Sequence, residues 1–456
     1  MSAVKRLVAA ALLLAGLAFA HVGSLDVYFQ GNAGPYRVLV AIRPPDVIPG
    51  IARIEVRALD PGIDRIELTP TPMTGEASKH PPTADAAQRS AADPRYFEGK
   101  LWLMSTGAWE VHVRAFGSKG EGELPVPVSA VAIRTRPMQK GVGYFLFGMM
   151  LFLSVGFVAI VGAAVRESKL EPGAPPVASK ARVFGWMGFT AAILIAALWF
   201  GKIWWAGDAS DYARKIYKPL EAVPTVNASQ MDLRLSDPGW LEMRRLDDLV
   251  PDHGHLMHLF LVRFPSLDQF AHLHPEQTSP GFFTTTLPAM PAGHYRIYAD
   301  IVHESGLAET AVGNVDLPDV SGGRLGEDDA FSKIPDPDSA IEWARDPSQP
   351  ITAKQAALFS FRLKNNDAIE PYMGMAGHAE FMKADGTVFA HIHPSGSVAM
   401  ASMTIASPEA MMAMHQTPGQ LVSFPFGLPS PGHYRVFVQI KHGGKIDTGA
   451  FDFDVQ

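Results

Sequence analysis

Three uninterrupted apolar runs, at 7–20, 143–165 and 184–205, stand out from a chain that otherwise alternates apolar and polar residues over short stretches. The two later runs are each about 22 residues long and carry no charge before Lys202, so each predicts a helix able to cross a bilayer. Tyr144, Trp199, Trp204 and Trp205 fall near their ends, where interfacial aromatics settle. The first run is too short to span. Lys5 and Arg6 precede it and Ala18-Phe19-Ala20 follows, so residues 1–20 predict a signal peptide, with His21 as the first mature residue. The loop 166–183 carries Arg166, Lys169, Lys180 and Arg182 and is expected in the cytoplasm. With an exported N-terminus, residues 21–140 and 207–456 are then both expected on the periplasmic side of a bacterial inner membrane. Neither span holds a central ionisable residue, so the hairpin reads as a lipid anchor rather than an ion pathway.

Outside the spans the period is two. Tyr36–Ile42, Ala52–Arg57 and Trp109–Arg114 are short alternating runs punctuated by Pro, Gly and Asp, the mark of an antiparallel sandwich. Polar, Pro-rich 69–95 predicts a long loop. The fold class expected is mainly β: three exported β-sandwich domains, immunoglobulin-like or cupredoxin-like, at 21–140, 207–320 and 335–456, plus a transmembrane hairpin from helices 143–165 and 184–205.

The last two domains are an internal repeat. Copy one carries His258, then Phe270-Ala271-His272-Leu273-His274-Pro275, then Gly293-His294-Tyr295-Arg296 running on to His303. Copy two carries His378, then Phe389-Ala390-His391-Ile392-His393-Pro394, then Gly432-His433-Tyr434-Arg435 running on to His442. Five histidines recur in one order. An acidic, Pro- and Gly-containing linker around 318–340 joins the copies.

Composition narrows what these histidines can do. The chain has no cysteine, which excludes disulfide scaffolds, thiolate zinc sites, cysteine nucleophiles and the thiolate ligand of blue copper. A net charge of −7 without basic clusters argues against nucleic acid as a partner. Sixteen histidines and nineteen methionines leave imidazole and thioether as available metal ligands. Histidines at i and i+2 of a strand project from one face, close enough to chelate one ion. The rows Tyr295-Ile297-Ala299-Ile301 and Tyr434-Val436-Val438-Ile440 end in His303 and His442, expected at a sandwich rim. The ligand sets expected are therefore His258, His272, His274 and His303 in one repeat and His378, His391, His393 and His442 in the other, one ion each. Imidazole ligation without thiolate suits copper, with zinc or nickel as alternatives. The competing reading makes these histidines structural, and His294 and His433, at turn-to-strand junctions, are expected to be so. Methionines 373, 375, 400, 403, 411, 412 and 414 enrich copy two; they suit soft copper(I) or simply fill apolar space. A mature His21 would offer amine and imidazole together, with His112 completing a brace.

With these residues in view, the chain resembles bacterial membrane-anchored periplasmic proteins carrying CopC-like or YtkA-like β-sandwiches. That resemblance rests on His21-Val22-Gly23-Ser24 ahead of a sandwich and a spanning helix, about a quarter of the chain, and the tandem Ala-His-x-His-Pro motifs carry a separate one. The CopC-type resemblance carries over to His21 and His112, and the tandem region is similar to uncharacterised secreted bacterial domains thought to handle heavy metals. The function expected is copper buffering, delivery or resistance without catalysis, with other periplasmic copper-handling proteins as partners. Two other classes stand beside it: a membrane-anchored scaffold with structural histidines, and a cupin-like metalloenzyme. The cupin pattern needs a Glu about four residues after the His pair, and neither Glu276 nor Ser395 meets it.

Overall fold

The computed structural model describes residues 25–456 except 168–170, 172, 176–177, 241–243, 347–348, 365–366 and 410–418. Residues 1–20, expected as a signal peptide, and His21, Met411, Met412, Met414 and His415 lie outside the described residues. The fold is mainly β, with two long apolar helices.

Near the N-terminus, strands Val27–Ala33, Tyr36–Arg43, Gly50–Ala58, Tyr96–Leu103 and Gln88–Arg89 form one sheet in that order. A second sheet orders Asp85–Ala86, Ile63–Pro72, Gly107–Gly117 and Gly120–Ala130. Alternation decides which face is buried: Val38, Val40 and Ile42 point inward beside Ala58, Val56 and Ile54 of the neighbouring strand. The stretch expected as a loop, 69–95, is partly ordered. Ile63–Pro72 runs into it as a strand, and a turn of 3-10 helix at Glu76–Lys79 and two two-residue strands follow.

Residues 133–216 are a separate compact unit holding the helices Lys140–Glu167 and Lys180–Arg214. Both are long and apolar enough to cross a membrane and overrun the expected spans into polar flanks. Ser179 caps the second, its hydroxyl accepting from the Arg182 N–H at 3.3 Å. Gly162 lets the pair approach, since a Cβ there would lie 2.7 Å from the Met187 sulfur.

In the first repeat a single curled sheet closes over its own core, so that Met231, Leu233 and Leu235 pack with Leu259, Leu261, Ile297 and Ala299. In the second, Ile341–Trp343, Ala357–Leu363 and Leu421–Phe426 form one sheet, and Phe389–Ile392, His378–Lys383, Gly432–His442 and Lys445–Val455 the other. Each buried aromatic of these cores contributes on the order of 1.5–3 kcal/mol of transfer free energy.

The outer faces of the two repeats pack on each other through a separate apolar cluster of Phe260, Val262, Phe270 and Tyr298 with Met382, Phe389 and Phe437. Its contacts obey a pseudo-twofold. Phe270 stacks on Phe437 with centroids 4.4 Å apart, and their counterparts Phe389 and Tyr298 stack at 4.0 Å. Arg296 donates to the Gly386 carbonyl at 2.5 Å, and Arg435 to the Leu267 carbonyl at 2.8 Å.

The first sheet joins the same compact unit. Tyr28 exchanges hydrogen bonds with Ser397, its N–H donating to the hydroxyl at 3.0 Å and its carbonyl accepting from the Ser397 N–H at 2.9 Å. Its ring enters the core of the second repeat, edge-on to Phe426.

Candidate metal centre

The pseudo-twofold packs histidines against histidines. His258 begins the strand His258–Arg263 and shares a sheet face with Asp300 and Tyr298 of Gly293–His303 and with His272 of Gln269–Leu273, as the register shows. His378, Gln439 and His391 hold the corresponding places in the second repeat. These are the outer faces that meet at the interface. The two sets form one cluster, with His258 and His391 ring centroids 5.4 Å apart and His272 and His378 5.9 Å apart.

Two histidines the sequence reading passed over complete it. A tight turn ahead of each leading histidine repeats in detail: Asp252 bridges His255, and Tyr372 bridges Met375. His253 and Met373 both sit at φ 51°. In the first repeat this turn carries His253 and His255; in the second, Met373 and Met375. The signal was available in the alignment of the copies, five and three residues before His258 and His378.

Ligand nitrogens converge in two groups, His258–His272–His274 and His253–His378–His393, each with its atoms within 4.8 Å of one another. The second group crosses the repeats.

Protein acceptors fix the tautomers. His258 Nε2 donates to the Asp252 carbonyl at 3.1 Å, leaving Nδ1 with a lone pair. His272 Nδ1 lies 2.8 Å from Gln439 Oε1 and 3.5 Å from the Tyr372 hydroxyl. Tyr372 gives its own proton to the Asp328 carbonyl at 2.7 Å, so its oxygen can only accept here. His272 Nδ1 therefore carries the hydrogen and Nε2 the lone pair. His258 Nδ1 and His272 Nε2 face each other at 3.1 Å. Burial foremost, then the His274 imidazole, push both pKa values well below the usual histidine range. Two neutral imidazoles thus present lone pairs to each other, an arrangement that a shared cation stabilises. Tetrahedral ligation at 2.0–2.1 Å would set ligand nitrogens about 3.4 Å apart.

The remaining imidazoles follow the same logic. His274 Nδ1 is held by Asp329 at 3.0 Å, His393 Nδ1 by the Val398 carbonyl at 3.1 Å, and His391 Nδ1 lies 3.3 Å from Asp300. The other nitrogen of each is buried and makes no hydrogen bond among the described residues, as are His253 Nε2 and both nitrogens of His378. Carboxylate or carbonyl on one ring nitrogen, with the other turned inward, is the outer-shell pattern of metal-binding histidine. The His255 ring lies tilted against His274 with centroids 4.1 Å apart, and its Nε2 is 3.2 Å from Asp328.

Two carboxyl groups lie beside the imidazoles, Glu380 buried and Asp300 half-buried. Burial raises Asp300 to about 7, against a hydrogen bond from Thr310. Burial and the nearby Asp300 push Glu380 well up, and neither of its oxygens has a hydrogen-bond partner among the described residues. A cavity of about 170 Å³ reaches His258, His391, His393, Asp252 and Asp300.

The expected ligand sets need correction at the strand ends. His303 and His442 lie on the core-facing rows of their strands, and a period of two puts those rows opposite the face bearing His258 and His378. His303 is also engaged on both nitrogens, Nδ1 with Asp248 at 2.8 Å and Nε2 with Glu309 at 3.0 Å. Glu309 in turn pairs with the buried Arg244. His442 sits between Asp367 and Asp447. His112 lies in the first sandwich between Glu110 and Glu123, both ring nitrogens engaged, and its proposed partner His21 is outside the described residues. His294 and His433 pair with Asp316 and Asp454 at the surface.

A family model described as a domain of unknown function, DUF8832, matches residues 218–316 and 339–456. No curated protein matches. Among solved structures the chain is similar to a tetra-tandem repeat from the extending region of a large adhesion protein, at 8% identity and TM-score 0.18, covering 94% of this chain and 82% of that one. It is also similar to the D1–D4 ectodomain fragment of ICAM-5, at 10% identity and TM-score 0.17, covering 93% and 77%. A third is a putative membrane-anchored protein from Corynebacterium diphtheriae, at 10% identity and TM-score 0.16, covering 94% and 95%.

Proposed function

We propose that this chain is a membrane-anchored metal-binding protein that buffers or delivers copper on the periplasmic side, at one centre shared by its two repeats. The observation that carries the reading is the pair of neutral, oppositely anchored imidazoles of His258 and His272, whose lone pairs face each other at 3.1 Å. A buried structural histidine would spend both nitrogens on protein partners, as His303 does. Imidazole-rich ligation without thiolate favours copper(II) over zinc or nickel by the Irving–Williams order. The helices Lys140–Glu167 and Lys180–Arg214 supply the anchor. The hydrogen bonds joining Tyr28 and Gln30 to Ser397 and Ser395 support both flanks of the hairpin lying on one side of the membrane. Copper-handling proteins of the same compartment are the proposed partners, and no catalytic role is assigned.

The test is metal analysis and copper(II) titration of the full chain purified in detergent. Two equivalents bound per chain is the expected result. A folded chain that retains and takes up no metal would overturn the reading.

A further inference from the structure

Resting on that metal-binding reading, we infer that the two histidine groups are chemically unequal, and that Met373 supplies a thioether ligand to the His258–His272–His274 group, making it the copper(I) position. The argument is one of equivalence under the pseudo-twofold. His253 leaves its own repeat to join His378 and His393, with ring centroids 5.7 and 4.9 Å away. The operation that exchanges the repeats carries His378 onto His258, His393 onto His274, and His253 onto Met373. It is closely obeyed here. The turns 252–258 and 372–378 share their bridge, their left-handed second residue and their residue-by-residue pattern of burial. The two turns also lie side by side, the Met373 backbone being close enough to the His253 ring to favour its charged form.

Met373 therefore stands towards His258 and His274 as His253 stands towards His378 and His393. The chemistry differs although the place is the same. Thioether sulfur is soft and selects copper(I), whereas an all-imidazole group with the Asp252 carboxylate 4.0 Å from His253 Nε2 suits copper(II) or zinc(II). One centre then holds a soft and a borderline position side by side.

The experiment uses the full chain in detergent, titrated with copper(I) under anaerobic conditions against a chromophoric chelator and examined by copper-edge X-ray absorption. Wild type should take up copper(I) with a sulfur shell on part of the bound metal. Met373→Leu keeps the bulk and the turn; it should remove that shell and weaken one copper(I) equivalent roughly tenfold or more, while leaving zinc(II) binding at the other group unchanged. Met373→His should make the two groups alike and shift the weakened position towards copper(II). Met375→Leu should leave the sulfur shell in place. A nitrogen-only shell in wild type, or a shell lost in Met375→Leu and kept in Met373→Leu, would overturn the assignment while copper binding itself stands. A folded wild type that binds copper in neither oxidation state would overturn the metal-binding reading and the assignment with it.

Discussion

His272 of the first repeat is held in its tautomer by Gln439 of the second, Nδ1 to Oε1 at 2.8 Å. The reciprocal contact, His391 of the second repeat against Asp300 of the first, spans 3.3 Å. Asp300 and Gln439 occupy the same position of equivalent strands, three residues before His303 and His442. Each repeat therefore aims the other's imidazole, and neither half of the centre is set by its own domain alone.

The aiming has a measurable cost when lost. Gln439→Leu removes the acceptor and frees the His272 ring to adopt the other tautomer. Metal affinity at the His258 group should fall roughly 10–100-fold with the fold intact, as outer-shell losses do. Competition titration checks it, with Gln439→Glu expected to retain most of the affinity.

Sharing across repeats gives a sharper test. His253→Ala changes only the first repeat, yet should abolish the group containing His378 and His393. Bound metal should drop from two equivalents to one, with the His258 group unaffected. Independent sites, one per repeat, would instead leave two equivalents in place.

Acid should unfold the metal-free chain readily. Burial first, then neighbouring imidazoles, hold His258, His272, His378 and His391 well below the usual range. Their folded pKa values are depressed, so the unfolded chain takes up protons near 6.5 while the folded chain does not. The stability these rings contribute is present above about pH 6.5 and is lost as pH falls below it. Thermal melts of metal-free protein between pH 8 and pH 5 should show the decline, and added metal should raise the melting temperature most at the higher pH.

His303 should behave in the opposite sense. Burial opposes its charge, but hydrogen bonds to Glu309 and Asp248 outweigh burial and raise its pKa. A raised folded pKa means that its contribution is complete below about pH 6.5 and fades as pH rises through the folded value. His303→Gln should cost about 1–3 kcal/mol, more at pH 6 than at pH 9, and leave the metal stoichiometry untouched.

Topology is checked with reporter fusions at Pro175 and after Gln456. The expected outcome is opposite sides of the membrane; the same side for both would contradict a two-helix anchor.

Much of this organisation was legible in the residues. Alternation located the strands at Tyr36–Arg43, Gly50–Ala58 and Gly107–Gly117, and the repeated histidines pointed to His258, His272 and His274 as one group. The error over His303 and His442 came from assigning chemistry to the buried row of a strand. Both faces of Gly293–His303 are covered, one by its own core and the other by the second repeat, and apolar alternation marks only the first. His253 and His255 went unseen because Met373 and Met375 replace them in the other copy. Glu380 went unseen because Phe260 occupies its place in the first repeat. Identity between copies reveals what symmetry preserves, and the centre departs from symmetry at these positions.

The joint between Tyr28 and Ser397 has a consequence for the order of events as the chain is made. The first described strand finds its partner in a loop that follows His393, 369 residues further along the chain. His253 likewise waits for His378 and His393. A chain still being synthesised can assemble the His258 group's own imidazoles, but lacks the Gln439 that aims one of them. On the metal-binding proposal, an ion met at that stage would find a half-made chelator, and the group would be complete only once Gly432–His442 had been made.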